Sequence, residues 1–522
     1  MKINKLYILC VGVVLMASCK KSFIERPSPN GPTLETYYKN AEEVNAATGL
    51  LYNKVWYEWQ DKAFHSIGEV LSGNMYTGDP VYSTFYNFTT TGNDEQVKRS
   101  WNSFYNVAGS ATVLIKAFED KKANGGGSYL DQGIAEARFI RGVAYFDLAR
   151  TFGDVPIVDD PVELATSGDV NVPRYLQSDV LRFALEDFQA AEAGLPASAA
   201  PGRVTTYSAK GMMAKLYLYT KDYANAKLKS QEIISSGKYK LYSDYGYMFT
   251  TFKANNNEES LFALQWIASG GYSYGNPIQA YCGPSTLLKP TTGAGYSAII
   301  PSLDMLNAYE FGDKRREWSV MEQGFSRPDW KNVNFPNGFV YDTTYVNSAD
   351  DPYKIKTGTR TNALKYVVGP GSSDEPVNGS STSICTYILR YADVLLIYAE
   401  ATLAGNSSTS DASALDAFNQ VRHRAGFGAS QDKTSLTEDI ILHERRVELA
   451  FEGDYWYDIQ RQGYEKAKAI LAAEERGILD FNGQVVHYSV TLSSPSQLYL
   501  PIPTSEIESN PLLSQPAVPY YQ

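Results

Sequence analysis

The sequence predicts a mainly α fold: a superhelix of paired helices carrying a loop-rich elaboration that contains short strands. Three observations point there. Small and aromatic residues recur at helical spacing in pairs of segments towards both ends of the chain. Between about residues 240 and 384 that period fades, and Gly, Pro, Ser, Thr, Asn and Tyr take over. The composition is that of a chain able to pack a large core: 522 residues, 43% hydrophobic and 20% charged, with 39 Tyr, 22 Phe and 7 Trp.

In chain order, the first element is an address rather than part of the fold. Lys2 and Lys5 precede an apolar run from Leu6 to Ala17, too short to span a bilayer and built as a secretory signal. Leu15-Met-Ala-Ser-Cys19 then sets small residues directly before a cysteine. This resembles a bacterial lipobox, which implies removal of residues 1–18 and lipidation of Cys19. The proline-containing stretch Lys20 to Thr33 would tether one domain, residues 19–522, to a membrane. Several acyl chains, at about 0.8 kcal/mol per buried methylene, hold such an anchor firmly.

Glu42 to Trp59 and Trp101 to Lys121 read as the next two helices. Ala137, Ile140, Ala144 and Leu148 line one face of a third, and Leu181, Ala184, Phe188 and Ala191 supply its partner after a loop. The clearest pair is Ser208 to Gly237. Ala209, Met213 and Leu216 form a stripe, Lys221-Asp222-Tyr223 marks a tight turn, and Ala226, Ser230 and Ile233 continue beyond it. This spacing resembles a tetratricopeptide (TPR) repeat, in which small residues on one helix admit its neighbour. Such units stack only on each other and need about three copies for stability. Tyr391 to Gly405 is a further strong helix, followed after a Ser-rich loop by Ala414, Phe418 and Val421. Helices are therefore expected over about residues 40–240 and 385–475, a loop-rich ligand-binding lobe over 240–384 with strands such as Leu261 to Trp266, and an extended C-terminal segment over 476–522.

Several blocks together resemble the SusD/RagB family of outer-membrane nutrient-binding lipoproteins. They are Glu136-Ala-Arg-Phe-Ile-Arg-Gly-Val-Ala-Tyr145 with Phe152-Gly-Asp-Val-Pro156, then Leu389-Arg-Tyr-Ala-Asp-Val-Leu-Leu-Ile-Tyr-Ala-Glu-Ala401 and Asn419-Gln-Val-Arg-His-Arg-Ala-Gly426. His443-Glu-Arg-Arg-Val-Glu-Leu-Ala-Phe-Glu-Gly453, Tyr455-Trp-Tyr-Asp458, Leu500-Pro-Ile-Pro503 and Glu506 to Pro511 complete the set. The resemblance implies a SusD-like scaffold of TPR units and a surface-exposed position on the outer membrane. It also implies an oligosaccharide or polysaccharide ligand and a partner, the SusC-like TonB-dependent transporter. It implies no enzymatic activity. The RagB-like branch makes oligopeptides the alternative ligand, and a lipid-anchored glycoside hydrolase is the competing reading from outside the family.

The residues bear on these readings separately. Lys and Arg number 47 against 58 Asp and Glu, a net charge of −11, and no cationic cluster offers a footprint for nucleic acid. Sugar recognition needs flat apolar platforms together with fixed polar groups. In the loop-rich segment Trp266, Tyr272, Tyr274, Tyr281, Tyr296, Trp318 and Trp330 are candidates, and Gly270-Gly271-Tyr272-Ser273-Tyr274-Gly275 surrounds two tyrosines with small residues. A second cluster runs from Ser72 through Tyr76 to Asp79, followed by Tyr82, Phe85 and Tyr86. The expected ligand contacts are Tyr76, Asp79, Trp266, Tyr272, Tyr274, Tyr296 and Trp318. Glu444, Glu448 and Glu452 lie at i, i+4 spacing, which suits an acid–base pair of carboxylates, but the adjacent Arg445 and Arg446 favour ionised carboxylates in a structural ion-pair network. No catalytic residue, metal ligand or cofactor is assigned. Asp159-Asp160 and Asp350-Asp351 lack the spaced ligands of a calcium loop, and Cys282 and Cys385 read as free buried thiols.

Overall fold

The computed structural model describes residues 37–521, apart from 169, 272, 285–294, 333–334, 342–360, 379–380 and 480–482. The expected signal segment, Cys19, Tyr272 and Asp350-Asp351 lie outside the described residues. The elements that matter for function are α1 (Ala41–Gly49), β1 (Met75–Thr77), α2 (Pro80–Tyr86), α3 (Glu95–Ala123), α4 (Tyr129–Phe152), α5 (Gln177–Gly194), α6 (Thr206–Tyr219) and α7 (Tyr223–Ser236). They continue with β2 (Ser260–Leu264), α8 (Ile278–Cys282), β3 (Ile299–Pro301), β4 (Thr386–Arg390), α9 (Tyr391–Leu403), α10 (Ala412–Arg424), α11 (Glu438–Glu448), α12 (Tyr455–Gln460) and α13 (Tyr464–Ala473). The fold is mainly α with a few short strands, as the sequence predicts.

The clearest repeat forms for local reasons. Thr205 and Ser208 make a capping box at the start of α6, Asp222 caps α7 by accepting from the Asn225 N–H, and Gly237 ends it at φ 62°. The turn between them is made possible by Lys221 at φ 61°. Small residues then set the packing distance. On α4, an added Cβ at Gly142 would stand 2.9 Å from the Phe188 ring of α5, so only glycine lets the two helices meet there.

Each helix packs on the next from α3 through α7, and the stack then continues onto α9. Ala214 and Leu218 of α6, Ala226 of α7, and Ile397 and Ala401 of α9 close one small core across a sequence gap of more than 150 residues. The lobe is thus an insertion into a continuous helical superhelix. Its base is closed by β2 and β4, which pair antiparallel from Ser260↔Arg390 to Leu264↔Thr386.

The region after α1 departs from the single helix expected over Glu42 to Trp59. Helix α1 stops at Gly49, and 3₁₀ turns and π turns carry the chain to Val70, interrupted at Asn53 and by Lys62 at φ 73°. The reason lies in packing. Trp56 and Trp59 both turn onto Phe104 of α3, and nearly every side chain from Trp59 to Met75 is buried. A helix buried on all sides against irregular neighbours has no amphipathic period to keep it regular.

The Glu444, Glu448 and Glu452 stripe lies inside the molecule. Glu448 meets Arg390, Arg424 and Arg315, Glu444 meets Arg315 and Arg422, and Glu452 meets Arg390 and Lys365. Burial pushes the Glu448 carboxyl up, but the guanidiniums of Arg424, Arg390 and Arg315 outweigh it and hold the group far below the usual carboxylate range. A carboxylate so held is a poor proton donor. The stripe pins α11 to the base of the lobe through Arg390 of β4.

Candidate functional site

Strand β1 pairs antiparallel with β3, with Tyr76 opposite Ile300 and Thr77 opposite Ile299. That pairing carries two of the sequence-predicted clusters to one place. Asp79 leaves the ladder two residues beyond Thr77, and Tyr296 precedes Ile299 by three, so both emerge at the same end. Thr77 Oγ1 ties the junction by donating to the Ala298 carbonyl at 2.9 Å.

Among the described residues, Tyr296 is the most exposed of the expected ligand contacts, with 63% of its surface open. The backbone explains why. Gly295 and Ser297 on either side adopt φ of 111° and 48°, which turns the Tyr296 side chain away from the protein. The strained segment is held from below: the Tyr296 N–H donates to the Ala280 carbonyl at 2.7 Å, and the Ala298 N–H to the Tyr281 carbonyl at 2.8 Å. Asn362 locks the same floor by donating to the Cys282 carbonyl (2.7 Å) and Ser297 Oγ (3.1 Å) while accepting from the Tyr341 hydroxyl (2.8 Å).

Tyr76 is half-buried and backed by aromatic rings. It meets Tyr86 edge-on at 5.5 Å between centroids, and Tyr86 stacks on Tyr488 at 4.6 Å. Asp79 caps α2, its Oδ1 accepting from the Val81 N–H at 2.9 Å. Its other oxygen has no partner among the described residues and remains available as an acceptor. Tyr274 is also half-buried, with the Lys54 ammonium 5.0 Å above its ring and its carbonyl accepting from Asn53 and Ile267. Helix α8 joins the Tyr274 loop to the floor beneath Tyr296.

The structure does not bring all the expected residues to this edge. Trp266 is 4% exposed and donates its indole N–H to Thr386 in β4 at 2.9 Å. It is a core residue rather than a platform, because it leaves β2 where the lobe closes on the scaffold. Trp318 packs against Gly246 and Tyr245. Tyr82, Phe85, Tyr86, Tyr281 and Trp330, singled out with them, are buried as well. Both Cys282 and Cys385 are free and buried, and burial pushes both thiols up. Asp160 caps a helix turn and pairs with Lys116, while Asp159 accepts from the Tyr520 hydroxyl.

The site also uses residues that sequence reasoning missed. Asn362 carries no local signal, since its partners lie 21 to 80 residues away. Lys54 and Asn53 sat inside an expected helix. Only the break at Asn53 frees its amide to bridge the carbonyls of Gln265 and Tyr274.

The arrangement offers an exposed aromatic face, a second half-open ring and an unpaired carboxylate oxygen on a rigid loop floor. It can hold a neutral polar ligand by stacking and hydrogen bonding.

A family model described as "SusD family" matches residues 258–521, and one described as "Starch-binding associating with outer membrane" matches residues 33–218. A SusD-like protein of Bacteroides ovatus is 31% identical, over 99% of this chain and 98% of its own length. SusD-like protein P2 of Formosa agariphila is 28% identical, over 72% of this chain and 73% of its own. A solved structure with xylogluco-oligosaccharide is 29% identical, with a TM-score of 0.80 over 92% of this chain and 99% of that one. A SusD-like carbohydrate-binding protein from Bacteroides fragilis shares the fold at 22% identity, with a TM-score of 0.72 over 92% of this chain and 100% of that one. Similarity of this kind runs through the superhelix and the inserted lobe alike, and the chain belongs to the SusD family.

Proposed function

We propose that this chain is a non-enzymatic glycan-binding lipoprotein of the outer-membrane surface that passes oligosaccharides to a SusC-like TonB-dependent transporter. The observation that supports the binding half of this reading is the β1–β3 ladder, which carries Tyr76 and from one end of which the segments bearing Asp79 and the exposed Tyr296 both emerge. A pyranose presents C–H groups on its faces and hydroxyls around its rim, and this edge offers a partner for each. Support also comes from the relative solved with a xylogluco-oligosaccharide and from the family description that couples starch binding with the outer membrane. The lipobox-like run Leu15 to Cys19 supports the anchor, and the resemblance to outer-membrane nutrient-binding lipoproteins supports the transporter as acceptor.

Calorimetric titration against a panel of plant, host and microbial oligosaccharides tests the ligand class. Binding of at least one glycan, with the component carried by this edge weakened at least tenfold in Tyr296→Ala with Asp79→Asn, is the expected result. Binding of peptides alone, or release of reducing ends from a bound glycan, defeats the reading. Membrane fractionation of Cys19→Ala, which should release the protein from the outer membrane, tests the anchor.

A further inference from the structure

Two of the sequence blocks named above, Phe152-Gly-Asp-Val-Pro156 and Leu500-Pro-Ile-Pro503, take no part in the β1–β3 edge. They lie almost 350 residues apart, yet the Leu500 N–H donates to the Thr151 carbonyl at 2.8 Å. Together they enclose a pocket of about 440 Å³ lined by Gly153, Asp154, Arg174, Gln177, Tyr499 and Ile502, among others. That volume falls within the range of small-ligand sites, about 300–1,000 Å³.

The pocket is rigid. Gln177 donates its backbone N–H to Asp154 Oδ1 (2.8 Å) and its amide to the Ala149 carbonyl (2.8 Å), while its amide oxygen accepts from the Tyr499 hydroxyl (3.2 Å). Gln497 is used up in the same way, donating to the Phe88 carbonyl and accepting from Ser493 and Ser494. Two charged side chains keep atoms to spare among the described residues. Asp154 Oδ2 has no partner among the described residues. Arg174 donates Nη2 to the Gln515 carbonyl at 2.7 Å and buries its Nε, which leaves Nη1 with no partner among the described residues.

These leftovers select a chemistry. The Asp154 carboxylate repels a free anion, and the Arg174 guanidinium repels a free cation. A neutral polyol suits both, donating one hydroxyl hydrogen to the carboxylate and offering a hydroxyl oxygen to the guanidinium. The half-buried Tyr499 ring, with Leu500, Pro501 and Ile502, supplies the apolar wall for a sugar's C–H face. We propose that this pocket is a second carbohydrate site, separate from the β1–β3 edge, taking one neutral sugar unit of a glycan. The choice of sugar rests on reading the chain as a glycan binder.

The test is calorimetric titration of the purified chain with gluco-, galacto-, manno- and xylogluco-oligosaccharides, and with glycine and dialanine. Two variants address the pocket. Arg174→Gln removes the free donor, and Ser496→Trp plugs the rim from an exposed position, giving up only the hydroxyl contact of Ser496 with Ser494. The proposal expects one oligosaccharide to show two binding components, of which each pocket variant weakens one at least tenfold and leaves the other unchanged. Tyr296→Ala should do the converse. A single component indifferent to both pocket variants overturns the second site and leaves the edge intact. Binding that survives Tyr296→Ala but is lost in both pocket variants upholds the pocket and overturns the edge. Binding of glycine or dialanine, lost in Arg174→Gln while no oligosaccharide responds to that change, overturns the sugar assignment in favour of a zwitterion.

Discussion

Tyr296→Ala separates binding from folding more cleanly than any other change at the site. The side chain is 63% exposed, so truncation leaves no cavity, and the unfolding free energy should move by no more than about 0.5 kcal/mol. The loss in binding follows from what the ring offers. Covering one face of a Phe-sized ring is worth about half of the 1.5–3 kcal/mol for full burial. The specific aromatic contact adds about 0.5–1.5 kcal/mol. The sum is about 2 kcal/mol, or about 30-fold in affinity at 1.4 kcal/mol per decade. Tyr296→Phe keeps the ring and should stay within a few-fold of the parent. Titration calorimetry with the tightest oligosaccharide of the panel measures the affinities, and a thermal melt guards against misfolding. An affinity within threefold of the parent for Tyr296→Ala, with an unchanged melt, refutes the idea that this ring is the platform.

Three further outcomes test the frame. Burial raises the Glu474 carboxyl from 4.5 to about 7 against the lowering influence of Arg446 and Arg476, so its contribution to stability is full below pH 4.5 and is lost as pH rises towards 7. Glu474→Gln should therefore make the pH slope of unfolding free energy between pH 5 and 6.5 more positive by about 1.4 kcal/mol per unit. Urea unfolding at the two pH values reads this, and an unchanged slope means the native carboxyl is already ionised. Gly142→Ala sets a methyl 2.9 Å from the Phe188 ring and 3.1 Å from the Ala184 carbonyl; it should destabilise by about 1–3 kcal/mol and lower Tm, and an unchanged or higher Tm contradicts the close approach of α4 and α5. Arg390→Gln strips partners from the buried Glu259, Glu448 and Glu452 and should cost about 3–5 kcal/mol in the same urea assay, whereas a loss below 1 kcal/mol would show the network to be dispensable.

The helical pairs were legible because their signals are local. The α6–α7 unit writes its own start, turn and stop in Thr205, Lys221, Asp222 and Gly237, and its stripe of small and apolar residues falls on one face. The stretch from Leu50 to Trp59 departs from the expected helix because its backbone answers to Phe104 and its neighbours rather than to its own period. At the site, the chain marked which segments are rich in rings and small residues. It did not mark which rings face outward: Trp266 and Tyr296 look alike as aromatic residues in a loop-rich region, yet one hydrogen-bonds to Thr386 in the core and the other stands in solvent.

The amino-acid order alone determined the paired-helix architecture, the inserted lobe and the family blocks, because spacing and capping act within a turn or two of chain. Which side chains form a site was decided only in three dimensions. The β1–β3 ladder joins residues more than 200 positions apart, the left-handed backbone at Gly295 and Ser297 turns one tyrosine outward, and the pocket beside Asp154 exists only where Leu500 returns to Thr151. Exposure is the sum of contacts from distant segments, and no local period records it.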